Sequence, residues 1–350
     1  MLLEEFVRGQ RIEAAPAAVD VLDLFGRPRS VRSAAAGLKR YTPASVEREV
    51  VRLSKLGFLV RPRDRPARRD AAACWSGSIA AAYFHFSTAN LTYLTDPTER
   101  IRFCRRRLAE EAQPPLYKIY RGLERIGLPS NGARSSTEEV LRARRTVRGF
   151  SRTPVPLAAF AALIRGTWGQ TGWTDGGPLG RLIAKTSPSA GARHPIECYV
   201  AVWNVRGLAR GLYHYSVRED SLECLRRGDF RSAAVRFAGG QSWVRRAAFL
   251  CVMTVVARRV FWKYSSSDAY RLFLLDAGHL AQTFAVLATA QGLGPFTTAA
   301  LSERAIERHL RIDGLREFPI YLCGAGMPAA AGRRAAVDPA LSVGAAPTSS

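Results

Sequence analysis

Residues 267–301 read SDAYRLFLLDAGHLAQTFAVLATAQGLGPFTTAAL. Apolar residues recur through Asp268 to Gln291 at helical spacing and on most sides, as in a helix buried at the centre of a domain. Gly292 stops this helix, because glycine enters the left-handed region after a helix end without steric cost. Gly292 to Leu301 then reads as a helix stop leading into a strand of small residues, suited to close backbone contact with a planar ring. This Gly-x-Gly follows a helix and opens a strand, the reverse of the dinucleotide-binding order, so it is no Rossmann fingerprint. Walker A and G-x-S-x-G patterns are absent.

Outward from this stretch, helical and strand patterns interleave back to about residue 135. Ile196 to Trp203 and Phe249 to Ala257 read as buried strands. SSTEEV supplies a capping box, read as Ser136 with Glu139, that opens a helix. At its far end stand Arg144, Arg145, Thr146, Val147 and Arg148. Forked guanidiniums with a neighbouring hydroxyl suit a phosphate, and a solvated basic face is the plainer reading. Ser187 to Pro195 (SPSAGARHP) combines small residues, hydroxyls and the charged pair Arg193 and His194, as a strand-entry loop or a ligand loop would. In Trp262-Lys263-Tyr264 an ammonium beside a phenol would favour tyrosinate if both reached one pocket, giving a general base. His214 and His279 read as structural histidines.

The N-terminal part reads as a small helical domain. Val19, Leu22 and Phe25 form one apolar stripe ended by Gly26 and Pro28, and a second helix crosses Val31 to Leu38. Thr42 as N-cap and Pro43 at the first helical position open a third helix lined by Val46, Val50 and Leu53. Gly57 ends it, and Phe58-Leu59-Val60 reads as a strand. Three helices and a strand resemble a winged helix. The expected division is 1–70 winged-helix-like, 71–134 connecting helical region, 135–334 catalytic domain and 335–350 disordered tail.

The 350 residues carry 52 Lys+Arg against 29 Asp+Glu, a formal net charge of +23. Such an excess points to anionic partners: nucleic acid, a phosphate-bearing cofactor, an acidic peptide or a membrane surface. No run approaches 18 uninterrupted apolar residues, and Glu4 and Glu5 stand where a signal peptide would be positive, so a cytoplasmic location is expected. The six cysteines are scattered without C-x-x-C spacing, which argues against zinc and against a disulfide framework.

Taken in order, RRTVRGF, KTSPSAGARHPIECYV, GLYHY, WKYSSSDAYRLFLLDAGHLAQ and GLGPFTTAAL resemble the nitroreductase-type flavin fold, and more narrowly the SagB-type azoline dehydrogenases of ribosomal peptide biosynthesis. The resemblance covers roughly residues 136–330. It implies an α+β fold with a mixed central sheet flanked by helices, and FMN bound at a homodimer interface. It places Arg144, Arg145, Thr146 and Arg148 on a phosphate-binding segment, with Thr146 preserving the hydroxyl of the usual serine. Ser187, Pro188, Ser189 and Ala190, with Arg193 nearby, fall on a loop beside the flavin. The Thr298, Ala299 and Ala300 backbone falls near its N5 and O4, and Arg333 and Arg334 match a C-terminal basic pair.

Lys263 and Tyr264 match the Lys-Tyr pair that marks the azoline dehydrogenases. The implied reaction is dehydrogenation of a thiazoline or oxazoline in a precursor peptide, with dioxygen reoxidising the flavin and a cyclodehydratase as a partner. The rival readings are an NAD(P)H-dependent nitro or quinone reductase, another flavin desaturase, and a DNA-binding role for the N-terminal domain through Arg48, Arg52 and Lys55. A clamp for an acidic leader peptide is favoured there over DNA, and no membrane role is expected.

Overall fold

The computed structural model describes residues 2–5, 10–25, 29–59, 75, 79–118 and 135–329. Val60, the Arg61–Asp70 stretch, Arg333, Arg334 and the 335–350 tail lie outside the described residues. The chain forms two compact units, Met1–Ala89 with Ala257–Tyr270, and Asn90–Val256 with Arg271–Ser350.

The first unit opens with the antiparallel pair β1 (Leu2–Glu5) and β2 (Gln10–Glu13), followed by α1 (Pro16–Leu24), α2 (Val31–Gly37) and α3 (Pro43–Lys55). Ser30 caps α2 by accepting from the Ser33 N–H. Thr42 caps α3 in the same way, and Pro43 occupies its first turn as the sequence requires. Ala18, Val21, Ala34, Val46, Val50 and Leu53 form the small core. The buried face of α1 is therefore centred on Ala18 and Val21; of the expected stripe Val19, Leu22 and Phe25, all three are half-buried and the last two pack at the margin of the core. α1 and α2 contribute the small Ala18 and Ala34, and α3 contributes the larger Val46, Val50 and Leu53. Gly57 takes φ +78, but Phe58 and Leu59 form a bend and not the expected strand. The Phe58 N–H is spent on the Leu53 carbonyl (2.9 Å), closing the end of α3 instead of pairing with a strand.

The first unit also contains α4 (Ile79–Ser87) and the later segment Ala257–Tyr270. Trp75 stacks on His85 (centroids 5.3 Å) and meets Phe261 edge-on (5.2 Å), while His85 Nδ1 lies 3.1 Å from the Tyr270 hydroxyl.

The second unit comprises α5 (Pro97–Glu110), α6 (Ser136–Ala143), α7 (Leu157–Trp168), β3 (Gln170–Asp175), β4 (Arg181–Lys185), β5 (Ile196–Val202), β6 (Gly211–Ser216), β7 (Ser221–Arg227), α8 (Arg231–Phe237) and β8 (Phe249–Val256). After the short α9 (Arg258–Phe261) of the first unit come α10 (Tyr270–Ala290), β9 (Gly294–Thr298), α11 (Glu303–Leu310) and β10 (Glu317–Gly326). The capping box of α6 is formed by Ser135 and Glu138, one residue before the expected pair, because Ser135 is the last extended residue before the helix.

A six-stranded sheet runs β7-β6-β5-β8-β10-β9 with every ladder antiparallel. Parallel pairing among the described residues is confined to the isolated bridge Val155–Val205. Helices cover both faces, which is why β8 reads as an unbroken apolar run. On one face Leu250 and Val252 join Phe237, Ile306 and Leu322. On the other, Phe249 meets Phe160 of α7 (4.9 Å) and Phe284 of α10 (6.3 Å), and Phe273 meets Phe318 (5.9 Å). Each fully buried aromatic contributes about 1.5–3 kcal/mol of transfer free energy. By length and composition α10 is long and apolar enough to cross a membrane. Here its apolar side is taken up by the sheet.

His214 on β6 sits between carboxylates from both neighbouring strands, Glu223 (Nδ1 to Oε2, 2.7 Å) and Glu197 (Nε2 to Oε2, 3.1 Å). Its pKa is raised, chiefly by the hydrogen bond to Glu197 and then by that to Glu223, against a lowering from burial. A raised folded-state value means that the imidazolium's stabilisation is complete below the unfolded histidine's pKa of about 6.5 and is lost as pH climbs through the folded value. His214→Gln is therefore expected to destabilise the protein more at about pH 6 than at about pH 9, and urea denaturation at the two pH values checks this. An equal loss at both would contradict it.

Candidate functional site

Two concave features lie along α10. The first, of about 140 Å³, is lined by Arg144 and Thr146, by Gly278, Ala281, Gln282 and Ala285 of α10, by Pro295, Phe296 and Thr297 of β9, and by Tyr321. The 144–148 segment reaches it because Val147 is buried and its N–H donates to the Pro295 carbonyl (2.8 Å), an added rung beside β9. Gly294 makes that approach possible: a Cβ there would stand 2.8 Å from the Val147 Cβ. This gives the glycine seen in the sequence a definite task, one of close packing and not of φ. The Tyr321 hydroxyl donates to Thr297 Oγ1 (3.1 Å) at the pocket wall.

The four basic-segment residues separate in their roles. Arg144 and Thr146 line the pocket. Arg145 turns its Nη1 onto the carbonyls of Arg142 (2.6 Å) and Arg144 (2.8 Å), bracing the end of α6. The Arg148 guanidinium lies 5.6 Å from the Trp243 ring centroid in a cation–π contact. A half-buried guanidinium beside a Gly/Ala strip on a helix can hold a flat ligand bearing an anionic tail.

The second feature is a small cleft lined by Lys185, Ser187, Pro188, Ser189, His194, Ile196, Asp276 and Leu280. The loop here is held by one side of α10. Ser189 Oγ donates to Asp276 Oδ2 (2.5 Å), His279 Nδ1 donates to the Pro188 carbonyl (3.2 Å), and Ser187 Oγ pairs with Thr283 Oγ1 (2.6 Å). Ser189 Oγ in turn accepts from the His194 N–H (2.9 Å), while His194 Nε2 donates to the Ile183 carbonyl (2.9 Å). Gly191 (φ +58), Ala192 (φ +52) and His194 (φ +42) all adopt the left-handed region, so this hydrogen-bonding holds a turn that a free chain would rarely populate. Arg193 is half-buried in the same turn. Burial raises the Asp276 pKa, partly offset by hydrogen bonds from Ser189 and the Ala190 backbone.

Thr298 lies at the end of β9, where its Oγ1 accepts from Gln241 Nε2 (2.8 Å) and from the Ala300 N–H (3.1 Å). The Ala299 carbonyl accepts from the Tyr93 hydroxyl (3.3 Å). Lys263 and Tyr264 belong to the first unit, directly after α9. Both their N–H groups donate to the Val260 carbonyl (2.9 Å each), and the Lys263 ammonium stands 5.5 Å from the Tyr264 ring centroid. The charge thus rests over the ring face. Lys263 is exposed and Tyr264 half-buried.

Within the second unit the structure joins Arg144 and Thr146 to Thr297, the residue before Thr298, and it gathers Ser187 to Ser189 in a cleft of their own. The sequence reading missed Gln282, Tyr321, Gln241 and Asp276. Gln241 binds Thr298 at the end of β9 and Asp276 binds Ser189 of the loop, both across long separations, and only Asp276, a carboxylate inside an apolar helix, left a trace in the pattern.

Residues 141–327 match the model of the nitroreductase family, and the chain belongs to that family, whose members are oxidoreductases. It is 23% identical over 310 residues to the trifolitoxin-processing protein TfxB of Rhizobium leguminosarum bv. trifolii, with 84% of this chain and 83% of the relative covered. Over 189 residues it is 28% identical to the putative nitroreductase MJ1384 of Methanocaldococcus jannaschii, covering 54% of this chain and 89% of that one. Among solved structures, a chain of the E. coli microcin synthetase McbBCD complex with truncated pro-MccB17 bound aligns at TM-score 0.46 and 21% identity, covering 66% of this chain and 94% of that chain.

Gly294→Ala forces Val147 and the Arg144–Arg148 segment off β9. Its expected cost is about 1–3 kcal/mol of overpacking in a urea melt, and an unchanged melt would contradict the close approach described.

Proposed function

We propose that this protein is an FMN-dependent oxidoreductase that dehydrogenates thiazoline or oxazoline rings of a precursor peptide to the aromatic azoles. Membership of the nitroreductase family supports the redox chemistry, and the likeness to a trifolitoxin-processing protein along most of both chains supports a biosynthetic substrate. The observation that carries the finer reading is the Lys263–Tyr264 contact. The contact sets an ammonium and a phenol side by side on one turn, the two groups that this chemistry would use.

The residues present suit FMN. Arg144 and Thr146 offer a fork and a hydroxyl to a phosphate, and the strip of Gly278, Ala281 and Ala285 leaves room for a ring against the helix. FMN, when bound, supplies a two-electron acceptor for hydride from the azoline ring. Tyr264 would take the proton from the ring carbon that was the peptide Cα, and Lys263 would position that ring through its cation–π contact. Gln282 and Thr297 present polar atoms at the pocket wall and would orient the ligand. The Ser187–Ala190 loop opens on a cleft other than the Arg144 pocket. This favours a homodimer in which the loop of one copy completes the pocket of the other.

The expected results are visible flavin absorbance in the purified protein and loss of two hydrogens from an azoline-containing peptide by mass spectrometry. Tyr264→Phe should lower kcat by about 10²-fold or more with flavin content unchanged. A colourless protein would overturn the flavin reading. Rapid bleaching by NADPH with an inert peptide would replace it with a nitro or quinone reductase.

A further inference from the structure

The second unit has a third and larger concavity that shares no residue with the two clefts along α10. It encloses about 620 Å³, with Phe150 and Trp203 in its wall and Arg152, Arg231, Arg245 and Arg246 around them. Arg231 is engaged by Asp229 (2.6 Å). Arg152, Arg245 and Arg246 are exposed and, among the described residues, stand in no ion pair. Three uncompensated guanidiniums around one cavity focus a positive potential into it, a cost recovered when an anion binds there.

The backbone that carries them is fixed. The Trp203 indole N–H donates to the Ala247 carbonyl (2.5 Å), tying down the turn that presents Arg245 and Arg246. Asn204 Nδ2 donates to the carbonyls of Arg152 (3.2 Å) and Thr153 (3.3 Å), tying down the other rim. Binding therefore need not order the main chain, only the side chains that grip.

The chemistry of the wall selects among anions. A nucleobase needs an exposed aromatic face to stack on. Trp203 and Phe150 are only 3% and 9% exposed, and so offer none. Guanidinium forks match carboxylates in pairs, and a volume in the range of about 300–1,000 Å³ admits several side chains at once. We propose that this cavity docks an acidic stretch of a peptide, its Asp and Glu carboxylates paired with Arg152, Arg245 and Arg246. Building on the peptide substrate proposed above, it would hold an acidic segment of the precursor away from the rings that react.

The test is fluorescence anisotropy of labelled hexaglutamate against the full chain at about 0.15 M salt, where exposed long-range attraction is largely screened. Combined Arg152→Gln, Arg245→Gln and Arg246→Gln should weaken binding by about tenfold or more, whereas a control removing Arg100, Arg102 and Arg105 from exposed α5 should change it by less than about twofold. Should the triple variant melt early, Arg245→Gln and Arg246→Gln singly, each expected to weaken binding about threefold, carry the same test. Equal losses in the cavity and control variants would reduce the effect to net charge and overturn the proposal. Tighter binding of duplex DNA at the same three arginines would also overturn it. The readout needs neither flavin nor turnover: a colourless protein that binds hexaglutamate through this cavity would refute the flavin reading alone.

Discussion

Helix α10 has to satisfy three different neighbours with one run of residues, and the second unit depends on that. Phe273, Ala277, Leu280, Phe284 and Ala288 are buried, with Phe273 and Phe284 meeting aromatic rings of the sheet. Asp276, His279 and Thr283 hold the 187–194 loop in a left-handed turn. Gly278, Ala281, Gln282 and Ala285 line the Arg144 pocket. At 3.6 residues per turn, the loop-holding and pocket-lining sets fall on nearly opposite sides of the helix. The separation of the two clefts follows directly from this arrangement.

The same geometry explains why one chain brings only part of the expected constellation together. Arg144, Thr146 and Thr297 meet because Val147 binds Pro295 and Gly294 leaves room for it. The serine loop is held on the other side of α10, by Asp276, His279 and Thr283. The Lys263–Tyr264 pair, carried by the first unit, is a local contact made by adjacent residues after a one-turn helix.

Much of this was legible in the sequence where the signal is local. Thr42 and Pro43 mark the start of α3, and Gly292 marks the end of α10, because caps and stops are decided within a turn. The run at β8 was legible because a strand covered on both faces is apolar throughout, and β5 departs from that pattern only at Glu197. The face of α1 was misjudged, since that helix turns Ala18 and Val21 toward Val46, Val50 and Leu53 of α3 and leaves Leu22 and Phe25 at the margin. The strand expected at Phe58 failed because its N–H groups close the preceding helix. The partners of Thr298 and Ser189 were out of reach, since Gln241 and Asp276 come from segments 57 and 87 residues away. The division of labour among Arg144, Arg145 and Arg148 was equally hidden, as three arginines look alike until their neighbours are placed.

The central claim is that the peptide itself reduces the cofactor of this protein. The most direct measurement is anaerobic stopped-flow observation of the flavin absorbance after mixing the holoprotein with an azoline-containing peptide and no nicotinamide. The account predicts bleaching in proportion to azole formed, slowed in Tyr264→Phe. Absorbance that stays constant with the peptide and falls only on addition of NADPH would contradict it.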